Sequence, residues 1–208
     1  MLKRPLSLFN ITETLQYIKI KGKMHIVAGK FRRRKIATPK GQSTRPTSGR
    51  LRETVFNICQ NSIENSTFLD LCAGSGAMGL EALSRGASFC VFIDNNLNAF
   101  HTISENIETF DTKKQTKVIY KDALAALKLL VQEKFVFDIC YIDPPYNDQE
   151  LFSAILTFLD QHPHLFAKEA TLFIESGLTS VVENITLTHF AQKSKRTMGH
   201  STLYMFQA

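Results

Sequence analysis

The sequence predicts an α/β fold built on a mostly parallel sheet. Two features predict it. From about residue 67 onward, short apolar runs alternate with longer amphipathic ones, and a glycine-rich turn joins the first such pair. With 208 residues, 44% of them hydrophobic, the chain is long enough for one full domain with a substantial core.

Residues 67–72, 89–94, 117–120, 135–142 and 170–175 read as strands, with 77–85, 97–110, 123–132 and 148–161 as the helices between them. Such alternation calls for crossover connections, and hence parallel strands with helices on both faces. Residues 185–190 and 202–206 read as two further strands, separated by the basic, glycine-containing stretch QKSKRTMGH. With no helix between them, they are expected to add an antiparallel edge.

Before residue 67 the character changes. Residues 24–29 and 35–37 read as a short hairpin, and 47–61 as a helix capped by Thr47 or Ser48, with Leu51, Val55, Phe56 and Ile58 on one face. The expected organisation is an extension over 1–23, a basic hairpin and helix over 24–62, and the main domain over 63–208. Residues 1–23 carry only a weak helical pattern around 12–20.

The net charge of +6 is a property of one segment. No acidic residue lies between Glu13 and Glu53, an interval that holds Lys30, Arg32, Arg33, Arg34, Lys35, Arg45, Arg50 and Arg52. Arginine-rich runs mixed with Ser, Thr and Gly suit phosphate contacts and counterion release from a nucleic acid. A solvated basic face, a localisation-like run or an attraction to acidic lipid would produce the same composition. The cysteines, Cys59, Cys72, Cys90 and Cys140, form no CxxC pair, which favours a reduced, cytoplasmic setting and no metal site. No apolar run approaches the roughly 18 residues that span a bilayer, so a soluble protein is expected.

Chemistry enters at Phe68-Leu-Asp-Leu-Cys-Ala-Gly-Ser-Gly-Ala-Met-Gly79. Its glycines, Gly74, Gly76 and Gly79, allow a tight turn and close approach of backbone to a nucleotide. Asp70, before those glycines, would oppose a pyrophosphate but can accept from a ligand ammonium. Asp94 ends the next strand, where an acid can take ribose hydroxyls. An acid before the glycines favours S-adenosylmethionine over NAD. Asp122 is an N-cap for the helix that follows; with the backbone of Ala123 it would also face an adenine amino group, and the two roles can coexist.

Asp143-Pro144-Pro145-Tyr146 falls at the carboxyl end of the fourth strand. The prolines stiffen the loop and leave carbonyls unopposed by N–H groups. Those carbonyls and the Asp143 carboxylate could hold an exocyclic amino group while Tyr146 stacks on a planar base. An amine conjugated with a base ring is a poor nucleophile, so the site must align it with a methyl donor and accept charge or a proton.

The combination FLDLCAGSGAMGLEALSRGA, VFID and YIDPPY resembles the Rossmann-like class I S-adenosylmethionine-dependent amino-methyltransferases. More narrowly, RPTSGRLRETVFNIC with AGSGAMGLEALSRGA and DPPY is similar to the RsmD family, bacterial enzymes that methylate the guanine N2 amino group at position 966 of 16S ribosomal RNA. The resemblance implies a seven-stranded sheet, a cytoplasmic monomer, and 16S rRNA in the small ribosomal subunit or its assembly intermediate as partner. It implies a cofactor set of Asp70, Ala73, Gly74, Ser75, Gly76, Asp94, Asn95, Asp122 and Ala123, and a target-base loop from Asp143 to Tyr146. Arg32, Arg33, Arg34, Arg45 and Arg50 would contact RNA, with Arg52 on the same RNA-facing or cofactor-covering appendage. The family often has Asp at Gly49 and Phe at Cys72; the second reads as a packing swap. Met24-His-Ile-Val-Ala-Gly-Lys30 resembles the family's usual start, so residues 1–23 are expected to be dispensable for chemistry or an over-long start assignment. A DNA adenine-N6 or cytosine-N4 methyltransferase would use the same loop, but it must flip its base from a duplex and usually carries a recognition domain, which is not evident here. A non-catalytic RNA-binding factor of the same fold would not require the intact glycine loop, Asp94 and DPPY.

Overall fold

In a computed structural model of the protein, the residues described are 24–39, 49–145, 148–177, 182 and 186–208. Expectations for residues 1–23, for the Thr47 or Ser48 cap, and for Arg45 and Tyr146 lie outside them. Helix α1 spans Gly49–Ile58. There follow β1 Thr67–Leu71, α2 Ala77–Ser84, β2 Phe89–Asp94, α3 Leu97–Phe110, β3 Thr116–Tyr120, α4 Ala123–Gln132, β4 Phe137–Ile142, α5 Gln149–Gln161, β5 Phe166–Ser176, β6 Ala191–Met198 and β7 Ser201–Gln207. The seven-stranded sheet has the order β3-β2-β1-β4-β5-β7-β6. Strands β1 to β5 pair in parallel, and β7 is antiparallel to both of its neighbours. The expected α/β class and antiparallel edge are therefore both present.

The central strands are apolar along their length because both faces are covered. On one face Leu69, Leu71, Val91, Ile93, Cys140, Ile142 and Ile174 pack against α4 and α5. On the other, Phe68, Cys90, Phe92, Ile139, Tyr141 and Phe173 meet α1, α2 and α3. The side chains of Leu51, Val55 and Phe56, buried under α1, each contribute about 1.5–3 kcal/mol on transfer from water.

One expectation about the edge is overturned. The described residues of the 185–190 segment, 186–190, are not a strand, and the basic stretch read as a connecting loop is itself strand β6. The reason is position: an outermost strand is solvated, so it needs no apolar alternation and carries charge instead. Elsewhere the shifts are small. Asp148 caps α5 by accepting from Leu151 N–H at 2.9 Å rather than opening the helix itself.

The basic hairpin shares the second core rather than standing apart from it. His25 and Lys35 form an antiparallel bridge, and Met24, Ile26 and Ile36 join the cluster around Phe68 and Leu83. Glu81, fully buried in α2, accepts from Val27 N–H at 2.7 Å and Ala28 N–H at 2.9 Å, and also pairs with Arg85 at 2.8 Å. Its fourth neighbour is Arg52, 3.8 Å away and 4% exposed. Arg52 is thus not on an RNA-facing or cofactor-covering surface: α1 turns it inward, where Glu81 is its counter-charge.

Candidate active site

Helix α2 descends from the carboxyl ends of the strands, so the loop between β1 and α2 opens at that end. Cys72, Gly74 and Gly76 there take φ of 66°, 58° and 74°. For a glycine such angles are free; Cys72 takes one as well, so it is a turn residue that also packs, partly buried, against the core. Its thiol, pushed up by burial and by Asp94, Asp143 and Asp70, stays protonated. Ala73 N–H donates to the Ile93 carbonyl at 2.9 Å and Gly76 N–H to the Ala73 carbonyl at 2.8 Å.

Two carboxylates fix this loop. Asp94, at the end of β2, accepts from Gly74 N–H through Oδ2 and from Asn96 N–H through Oδ1, both at 2.8 Å. Asp70 accepts from Gly79 N–H at 2.9 Å. Only 2% exposed, Asp70 is pushed up to about 8 by burial, with Asp94 adding to the shift and the Gly79 bond opposing it. The three glycines differ in function. A Cβ on Gly79 would meet Phe92 Cε1 at 2.3 Å and Cys90 Sγ at 2.4 Å, so this glycine permits helix-to-sheet contact. A Cβ on Gly74 would meet nothing within 4 Å. Open space above Gly74, with Asp94 bonded to its N–H, fits a ligand bearing hydroxyls, as S-adenosylmethionine does.

Asp143 N–H donates to the Leu71 carbonyl at 3.3 Å, so the Asp-Pro-Pro loop opens directly beside the glycine loop. The Asp143 carboxyl is pushed well up by burial, then by Glu175 and Asp70. Tyr141, two residues earlier, donates its hydroxyl to Glu175 Oε2. Pro144 is buried and Pro145 exposed. Asp122 caps α4, accepting from Ala125 N–H at 2.9 Å, and lies beyond Asp94 at the end of β3. Ser75 is held to the hairpin through Asn106, whose amide donates to the Ser75 and Ala37 carbonyls, each at 3.0 Å. Asn95 follows Asp94 in the bend before α3.

The predicted cofactor residues therefore converge, whereas the predicted RNA residues do not. Arg50 is exposed at the start of α1, which runs beside α2 in the same direction, since Arg52 meets Glu81 and Phe56 meets Arg85. That places Arg50 toward the site. The turn bearing Arg32, Arg33 and Arg34 packs instead at the amino ends of the strands. Lys30 N–H bonds the Ser84 carbonyl at 2.8 Å, and Arg34 donates to the Thr109 carbonyl while lying over the rings of Phe110 and Phe31. Sequence reasoning missed Glu81, Tyr141 and Glu175. The available signal was a lone acid inside an apolar element, AMGLEALS for Glu81 and TLFIES for Glu175.

Comparison with known proteins supports the same reading. A family model described as "Conserved hypothetical protein 95" matches residues 24–207. The chain is 36% identical over 142 residues to YlbH of Bacillus subtilis (strain 168), covering 68% of this chain and 77% of that one. It is 33% identical over 170 residues to ribosomal RNA small subunit methyltransferase D of Escherichia coli (strain K12), covering 80% and 83%. The solved structure of yhhF from Escherichia coli superposes with a TM-score of 0.76 at 28% identity, covering 89% of this chain and 98% of that one.

Proposed function

Because this chain belongs to the RsmD family of methyltransferases, we propose that it methylates ribosomal RNA, using S-adenosylmethionine to modify the exocyclic N2 of a guanine in 16S rRNA, at position 966. The observation that carries the reading is the hydrogen bond from Asp143 to Leu71, which joins the acceptor loop to the cofactor cradle.

Asp94 would take the cofactor's ribose hydroxyls, while Asp70, buried behind the glycine loop and bonded to Gly79 N–H, would hold that loop in place. Ala73, Gly74, Ser75, Gly76 and Asn95 would shape the cradle and Asp122 with Ala123 bound the adenine. The cofactor supplies an electrophilic methyl group. Asp143 and the Pro144 carbonyl hold the amino group in line with it, and Tyr146 stacks on the guanine ring. As nitrogen gains positive charge, the Asp143 carboxylate stabilises it and takes the proton. Arg50 contacts RNA near the site, Arg45 is a further RNA contact, and Arg32 and Arg33 engage phosphates farther along the same large RNA. The chemistry resides in residues 24–208, as a cytoplasmic monomer without a metal.

Purified protein supplied with methyl-labelled cofactor should modify 16S rRNA, as naked RNA or small subunits from cells lacking the protein, and yield N2-methylguanine. Labelled N6-methyladenine or N4-methylcytosine in DNA, with none in RNA, would overturn the reading.

A further inference from the structure

We propose that β6 is a second RNA-binding surface, on which Arg196 and Lys193 hold the phosphate backbone flanking the target nucleotide. The inference rests on RNA being the substrate, and it assigns a role to the basic stretch that the catalytic site leaves unused. β6 is the outermost strand, with Lys193, Lys195, Arg196 and, in the following turn, His200 all exposed. No acidic residue occurs from 186 to 208, so nothing in this segment offsets those cations. Lys195 lies over the Tyr204 ring, while Arg196 belongs to the opposite face.

Register places Arg196 on the catalytic side. Ile142 pairs with Ile174, so Asp143 follows beside Glu175; Glu175 pairs with Leu203, and Leu203 with Arg196. Directly paired residues share a face of the sheet. Asp143, Glu175, Leu203 and Arg196 therefore form one row at the carboxyl ends of the parallel strands. Strands lie about 4.8 Å apart, which sets Arg196 about 14 Å along the sheet from Asp143. That separation suits a guanidinium reaching phosphates beside a base held at Asp143. The outward N–H groups of β6 can donate to the same backbone.

The alternative is that these cations only keep the sheet edge from pairing with other chains. Binding of a 16S rRNA fragment, followed by fluorescence anisotropy across a salt series, separates the two. With Lys193→Gln and Arg196→Gln combined, affinity should fall about tenfold and the log–log salt slope should become shallower by between about 1 and 2, while calorimetric affinity for S-adenosylmethionine is unchanged. Arg196→Lys should restore most of the slope. Unchanged RNA affinity and slope would overturn the inference, whether or not the variant aggregates. Should the double variant fail to fold, RNA must still protect Lys193 of the wild type from acylation and Arg196 from phenylglyoxal. Wild-type protein that methylates RNA without such protection refutes this inference alone; wild-type protein that binds no RNA refutes the proposed substrate as well.

Discussion

The Tyr141 hydroxyl donates to Glu175 across β4 and β5, holding a second, buried carboxylate beside Asp143. Asp70 lies on β1, whose Leu71 carbonyl accepts from Asp143 N–H. Burial raises Asp143, and the charges of Glu175 and then Asp70 raise it further. Methyl transfer that needs ionised Asp143 should therefore have an acidic limb above the ordinary carboxylate range. Glu175→Gln keeps an acceptor for Tyr141 but removes the charge, so the limb should move to lower pH. A single-turnover pH profile with an unmoved limb would refute the coupling.

Asp70 makes a prediction about stability. Its folded value of about 8 lies above the ordinary 3.8, so the folded state holds the proton more tightly than the unfolded chain. That stabilisation is complete below about pH 4 and is lost as pH rises toward 8. Across this window the wild type should lose roughly 1 kcal/mol per pH unit from this group. Asp70→Asn should flatten the dependence, as measured by urea unfolding at a series of pH values. A variant whose stability falls with pH as steeply as the wild type would show that Asp70 is ionised throughout.

Periodicity made most of the sheet legible, because β1, β2 and β4 are buried on both faces and read as continuous apolar runs. The glycine turn was legible too, since Gly74 and Gly76 answer to backbone angles that few other residues accept. Strand β6 was not: a solvated edge strand has no apolar pattern to detect. Nor could charge alone separate Arg52, buried against Glu81, from the exposed Arg50 two positions earlier. The helix phase that separates them depends on which face of α1 meets α2, a tertiary fact. The arginine run likewise showed where charge concentrates in sequence but not that the hairpin carries Arg32 to Arg34 away from the glycine loop.

Glu81 and Arg52 should respond asymmetrically to substitution. Among the described residues Arg52 Nε and Nη1 have no hydrogen-bond partner, so its charge rests on the nearby Glu81. Removing Glu81 leaves a buried cation uncompensated and also strips the acceptor from Val27 and Ala28 N–H. Glu81→Ala should cost about 3–5 kcal/mol in denaturant unfolding. Arg52→Met, which leaves Glu81 its two N–H donors and Arg85, should cost distinctly less. Equal costs would mean that Arg52 contributes through its own packing or unobserved partners rather than through Glu81.

Gly74 and Gly79, five residues apart in one motif, should separate cofactor binding from folding. Gly79→Ala drives a methyl into Phe92 and Cys90, both buried, and should lower stability by about 1–3 kcal/mol. Gly74→Ala meets no atom; at φ 58° it costs only about 1–2 kcal/mol in backbone strain. Its methyl, however, projects into the space assigned to S-adenosylmethionine. Calorimetry should therefore show a large loss of cofactor affinity for Gly74→Ala in a protein that still melts cooperatively, and thermal melting should show the larger stability loss for Gly79→Ala. If Gly74→Ala binds the cofactor like the wild type, the cradle lies elsewhere, and the assignment of Asp94 as a cofactor ligand falls with it.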